Sequence, residues 1–312
     1  MNNSILTIFS VLSLIFISSC NKEEINFTPI PVDILEGDIE YEAYDTTFVL
    51  TAKDLAEGLT GYWEVLLNTH SYELSDIEDP KCLFRGELLG HYKLRWTVTN
   101  GKDEKYEDID ISIVGITDSI NNETYRVVKI GNQIWMAENL KSTHYQNGDE
   151  IADGTGIGDI SETNAPKYWF PYNDDLSNVA AYGRLYTWYA INDSRNVCPS
   201  GWHVPTNSEW TELVEQLGGE FIAGGKLKEN GTLHWFNPNE GATNESGFTA
   251  LPGGMRGYGG PYGNMGYAEN WWSLSENTTI EAYSWGLSFN NESIYFGGSD
   301  KKVGFSIRCV KN

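Results

Sequence analysis

The strongest constraint on this chain is a stretch of strict two-residue alternation broken by a single turn. Tyr92, Leu94, Trp96 and Val98 alternate with polar residues, Asn100-Gly101 follows, and Ile109, Ile111 and Ile113 alternate again. Period 2 gives a strand one apolar face, and Asn-Gly suits a tight turn, so this is a hairpin. Further strand-like runs lie around Phe48 to Thr51 and Trp63 to Leu67. Residues 26–115 therefore read as a small, mainly β antiparallel sandwich.

At 312 residues the chain exceeds one typical domain, and its composition changes near residue 122. Only 7 of its 32 glycines lie before residue 123, and 9 of its 11 tryptophans lie after it. The polar stretch Gly115 to Asn122 reads as the junction, with a linker at 116–122 and a second unit at 123–312. In that unit Val127 to Ile130 and Gln133 to Met136 flank Gly131-Asn132, a second hairpin. Gly154, Gly156 and Gly158 neither follow a strand nor open a helix, which removes a phosphate-binding reading. Thr206 and Glu209 form a capping box. Trp210, Leu213, Val214 and Leu217 then make one helical stripe, which Gly218-Gly219 ends.

The 21 Lys+Arg against 44 Asp+Glu leave a net charge of -23, which repels a phosphate backbone and excludes nucleic acid as a partner. Four cysteines without CxxC pairs, and the lack of HExxH, give zinc no ligand set. Asp76, Glu78, Asp79 and the acidic run Asp103 to Asp110 could hold Ca²⁺, but without EF-hand spacing they read as solvated acids. No cofactor is expected. Cys82 reads as a buried apolar thiol. No GxSxG elbow occurs, and His203 and His234, possible bases, are assigned structural roles.

From Ile5 to Ile17 the chain is almost wholly apolar, too short to span a bilayer but suited to an export signal. Ile17-Ser18-Ser19-Cys20 resembles the bacterial lipobox, although the n-region lacks Lys and Arg. The resemblance implies a signal peptide at 1–19, lipidation of Cys20 and a tether at 20–25, with the acyl chains holding the protein on a membrane. Asn21-Lys22-Glu23-Glu24 resembles the tag of surface-exposed lipoproteins in Bacteroidetes-type bacteria, which implies an outer-membrane, cell-surface location. Asp45-Thr46-Thr47 and Asp118-Ser119-Ile120 resemble the O-glycosylation sites of such bacteria, at Thr46 and Ser119.

The run Gly90 to Gly101 resembles the closing hairpin of PKD-type and other immunoglobulin-like domains. Six ordered blocks of the second unit resemble the Fibrobacter succinogenes major paralogous domain: 127–140, 182–188, 198–206, 247–254, 271–273 and 304–310. More distantly, Gly201-Trp202-His203-Val204-Pro205-Thr206 and the closing Gly-Phe-x-x-Arg-Cys-Val resemble formylglycine-generating enzymes, a likeness that implies a loop-rich α+β, C-type-lectin-like fold. No cysteine lies between Cys198 and Cys309, so the cysteine pair of those oxidases is missing and no enzyme is expected. Both cysteines sit in family blocks of an exported protein, which implies a disulfide between them.

Binding is assigned to Leu251 to Trp272, where glycines at 253, 254, 257, 259, 260, 263 and 266 suggest a long shaped loop without regular structure. It carries Arg256, Tyr258, Tyr262, Tyr267, Glu269 and Asn270 as candidate ligand contacts. Tyr258 and Tyr262 are expected to be exposed, and Trp188, Trp271 and Trp272 to be core. Aromatic faces with polar neighbours suit sugar rings. The expectation is a non-catalytic module that binds a glycan. The rivals are a protein–protein adhesin or envelope-assembly component, and a cryptic hydrolase.

Overall fold

The computed structural model describes residues 27–37, 40–44 and 46–312. Cys20, the expected signal peptide and the expected tether lie outside the described residues, as does Asp45 beside Thr46. The protein is mainly β.

The first unit has strands β1 (Glu40–Ala43), β2 (Thr47–Val49), β3 (Thr60–Asn68), β4 (Glu73–Leu74), β5 (Leu83–Arg85), β6 (His91–Thr99) and β7 (Glu104–Ile113). One sheet runs β1-β7-β6-β3, with β1 parallel to β7, and a second runs β2-β5-β4. The alternating hairpin forms as the sequence demands: Asn100 Oδ1 accepts the amides of Lys102 (3.0 Å) and Asp103 (2.8 Å), and Gly101 takes φ +83°. Its inward residues Tyr92, Leu94, Trp96 and Val98 are fully buried with Phe84 and Cys82 in one core shared by both sheets. Its outward residues pair across strands, Arg95 with Asp108 at 2.7 Å and Lys93 with Asp110 at 3.1 Å. Asp76 and Asp79 accept the amides of Glu78 and Lys81 in their own turns.

Only Val114 separates β7 from β8 (Gly115–Asp118), which pairs antiparallel with β9 (Glu123–Ile130). Residues 116–122 are therefore a hairpin limb and turn of the second unit instead of the expected linker. Asp118 accepts the amides of Ile120 and Asn121, and Asn122 takes φ +55°. Polar turn residues that looked like a spacer are satisfying a tight turn. Ser119 is exposed in it.

The second unit continues through β10 (Gln133–Met136), β11 (Ala152–Asp153), β12 (Tyr168–Phe170), α1 (Val179–Tyr182), β13 (Leu185–Thr187), α2 (Trp188–Ile191), β14 (Trp202–His203), α3 (Asn207–Gln216) and α4 (Glu220–Leu227). It ends with β15 (Met255–Arg256), β16 (Tyr262–Gly263), β17 (Ala268–Glu276), β18 (Glu281–Ser288), β19 (Ile294–Asp300), β20 (Gly304–Phe305) and β21 (Val310–Lys311). Three sheets result: β14-β21-β10-β9-β8, β11-β12-β13-β20-β15-β16 and β17-β18-β19. Thr206 caps α3 with both halves of its capping box formed. Successive strand residues point to opposite faces, so Trp271 packs with Trp210 of α3 while Trp272 packs with Phe305 in a second core. Trp188, Trp271 and Trp272 are all buried, as expected. The stretch 251–272 is more regular than its glycines suggested, since β15 and β16 form a hairpin and β17 begins at Ala268. Among the described residues, no helix is long and apolar enough to cross a membrane, and no group of three or more His, Cys, Asp or Glu could hold a metal ion.

Candidate functional site

The six recognisable sequence blocks meet in the interior. Asn139, 3% exposed, donates to Tyr182 O (2.9 Å), Glu269 Oε1 (2.9 Å) and Ser306 Oγ (3.3 Å). Its Oδ1 accepts from Trp271 Nε1 (2.9 Å) and Arg308 Nε (3.2 Å). Arg308 reaches on to the carbonyls of Phe248 and Thr249, and the Gly253 amide donates to Glu269. Five blocks thus share one buried hydrogen-bond network. The remaining block, at 198–206, joins the last through the disulfide Cys198–Cys309, whose Cα atoms are 6.1 Å apart. Burial pushes the Glu269 carboxyl up against the pull of its donors, and burial pushes the Arg308 guanidinium down against the pull of Glu269. In this network the polar residues that mark the sequence are holding chain segments together.

The expected ligand contacts divide. Arg256 is buried: its guanidinium lies 4.1 Å from the Phe170 ring centre and donates to the carbonyls of Gly257 and Gly158. Tyr262 is half-buried instead of exposed, because its hydroxyl donates to Asp174 Oδ1 (2.5 Å) and its ring packs on Tyr172 (5.3 Å). Burial, then the Asp174 carboxylate, raises the Tyr262 phenol. Glu269 is fully buried, and Asn270, 8% exposed, accepts from Tyr295. Arg256, Glu269 and Asn270 are corrected from ligand contacts to scaffold, and Tyr262 from exposed to half-buried. Their partners arrive from distant segments, and closely packed glycine backbone lets them in: a Cβ on Gly254 would stand 2.4 Å from Gly263 O. Tyr258 and Tyr267 remain exposed, at 45% and 49%.

Tyr267 has a neighbour that the sequence reading missed. The Phe236 ring, 50% exposed, lies 4.4 Å from it at 48°, and Phe289 stands 5.3 Å away on edge. Backbone bonds fix the group, Phe236 N to Gly266 O (2.8 Å) and Phe289 N to Tyr267 O (2.9 Å). Gly266 is required here, since a Cβ would come within 2.6 Å of the Phe236 ring. The available signal was Trp235-Phe236 in the loop between Gly231 and Gly241. Trp235 turns inward and donates to Ala250 O, while Phe236 stays outside.

Two cavities of about 210 and 380 Å³ share Arg126, Ala137 and Thr249 in their linings. Glu138, His234, Leu251 and Arg308 line the smaller, Tyr44 and residues 244–247 the larger. The carboxylates that line them are already ion-paired, Glu138 with Lys141 (2.9 Å) and Arg126 (3.3 Å), Glu245 with Lys226 (2.7 Å). Burial raises Glu138, but Lys141, the Arg126 amide and the Arg126 charge outweigh it and hold the carboxyl below its usual range. A glycosidase acid needs the opposite shift. His234 Nδ1 meets Glu229 at 2.9 Å, and His203 joins Glu209 to Asn312, each by 2.7 Å contacts. His203 therefore sits in the α3 cap and not in a cleft.

No curated protein and no solved structure shows a significant match to the chain. Residues 128–311 match the Fibrobacter succinogenes major domain, and that span contains the Asn139 network, the disulfide and the aromatic platform. By that match, which covers more than half of its length, the chain belongs to the Fibrobacter succinogenes major domain family.

Proposed function

We propose that this protein is a non-catalytic binding module that recognises a glycan through the Phe236–Tyr267 platform, with Tyr258 as a further exposed aromatic. The observation that carries this reading is the pair of half-exposed rings 4.4 Å apart on backbone-pinned loops. Such faces offer stacking area at little entropic cost, and preorganisation limits what binding must order. Leu233, 82% exposed in the same loop as Phe236, favours a protein partner as the second reading.

The rest of the reading is built around display. The first unit serves as an immunoglobulin-like or PKD-like spacer, and the second is a C-type-lectin-like domain. A lipid on Cys20 anchors the chain in the outer membrane at the cell surface, and Thr46 and Ser119 are candidate O-glycosylation sites. The test is a glycan array followed by calorimetric titration of the purified protein and its Tyr267→Ala and Phe236→Ala variants. Truncating a stacking aromatic should cost about 1 to 3 kcal/mol, roughly 5- to 150-fold in affinity. A protein that binds no glycan, or variants that bind as well as the parent, would remove the reading.

A further inference from the structure

We propose that the cavity near the platform is a carboxylate-binding subsite, in which Arg126, with the buried Arg308 behind it, receives the ligand's acidic group, so that the ligand class is a saccharide containing uronic acid. The inference rests on the glycan reading above and narrows it.

In a chain of net charge -23, the lining of one cavity of about 210 Å³ includes two arginines. Arg126 is exposed, and only its Nε is held, by Glu138 at 3.3 Å; its two terminal nitrogens have no partner among the described residues. Arg308 is 1% exposed and spends three of the five guanidinium N–H groups inward, on Asn139, Phe248 and Thr249. The charge of Glu138 is divided between Arg126 and Lys141. Glu269 lies behind Arg308 and is itself held by Asn139 and the Gly253 amide. The terminal nitrogens of Arg126 are thus the unheld donors at the cavity, and a planar guanidinium matches a carboxylate in two-point contact.

The walls suit a sugar. Ala137, Ala180, Ala181 and Leu251 supply apolar faces, and His234, held at Nδ1 by Glu229, keeps Nε2 for a hydroxyl. The cavity is smaller than the range of about 300 to 1,000 Å³ typical of drug-sized ligands, which fits one ring or its acidic end. The cavity also adjoins the platform. His234 stands two residues before Phe236, a span of at most about 7 Å of chain. Leu251 lines the cavity, and the next carbonyl, of Pro252, accepts the Gly266 amide at 3.0 Å beside Tyr267.

The experiment is calorimetric titration of the purified protein with trigalacturonate, its methyl ester and free galacturonate, using the parent, Arg126→Gln and Tyr267→Ala. The expected result is at least about tenfold preference for the acid over the ester, lost in an Arg126→Gln variant that still melts cooperatively and binds the ester as the parent does, while Tyr267→Ala weakens both trimers. Equal binding of acid and ester, or an unaltered Arg126→Gln, overturns the subsite and leaves glycan recognition standing. Binding of free galacturonate that depends on Arg126 supports the subsite, while trimer binding that does not depend on Tyr267 removes the platform. Absence of binding to all three probes overturns the uronate assignment, and the glycan array then decides the broader reading separately.

Discussion

Replacing Asn139 by Leu keeps roughly the side chain's bulk and removes all of its hydrogen bonds. Four buried groups then lose partners at 2.9 to 3.2 Å: Tyr182 O, Glu269 Oε1, Trp271 Nε1 and Arg308 Nε. A buried polar group left unsatisfied costs about 1 to 3 kcal/mol, more when charged. Even the lowest figure for each gives about 4 kcal/mol, and relaxation within the network keeps the sum near 4 to 6 kcal/mol. Domains have only about 5 to 15 kcal/mol of stability in total, so the variant should be marginally folded. At about 2 to 4 °C per kcal/mol for a unit of this size, its melting temperature should fall by roughly 8 to 24 °C. Urea unfolding followed by tryptophan fluorescence reports mainly on the second unit, which holds 9 of the 11 tryptophans. Tyr258→Ala, at an exposed position, is the control and should stay within about 0.5 kcal/mol of the parent. A loss under about 1.5 kcal/mol in Asn139→Leu would refute the claim that this network holds the sequence blocks together.

Three more outcomes follow from named contacts. Removing the disulfide with a Cys198→Ala/Cys309→Ala variant opens a loop of 111 residues and should lower stability by about 4 to 5 kcal/mol by the chain-entropy estimate, read as a shifted urea midpoint. Arg256→Met removes the buried donor and leaves the carbonyls of Gly257 and Gly158 without it, so it should destabilise by at least about 2 kcal/mol in the same assay, whereas a ligand-contact role would leave stability unchanged. Glu138 has its folded pKa held below the unfolded value; its stabilisation is present above the unfolded pKa of about 4.3 and is lost as pH falls through the folded one. Glu138→Gln should therefore flatten the fall in melting temperature below about pH 4.5, and an unchanged pH profile would contradict the ion pairs assigned to it.

What could be read from sequence was what depends on near neighbours. Asn100-Gly101, Gly131-Asn132 and the Thr206/Glu209 box each fix a turn or a helix start within a few residues, and all three form. The same locality misled at 116–122, where the residues of a tight turn have the composition of a linker. Arg256 and Glu269 failed for the opposite reason. Their charges suggested a ligand, yet Gly158 and Asn139, which satisfy them, lie 98 and 130 residues away in sequence. The platform was half legible, because Tyr267 stood in a glycine-rich stretch while Phe236 comes from a different loop and meets it only through tertiary contact.

The central claim is that the family blocks build the scaffold while Phe236 and Tyr267 do the recognising. It is tested most directly by running one glycan array with the parent protein and a Phe236→Ala/Tyr267→Ala double variant, each checked for an intact melting transition. The account predicts a parent that binds a defined set of saccharides and a folded variant that has lost them. A folded variant that retains the parent's binding profile would contradict it.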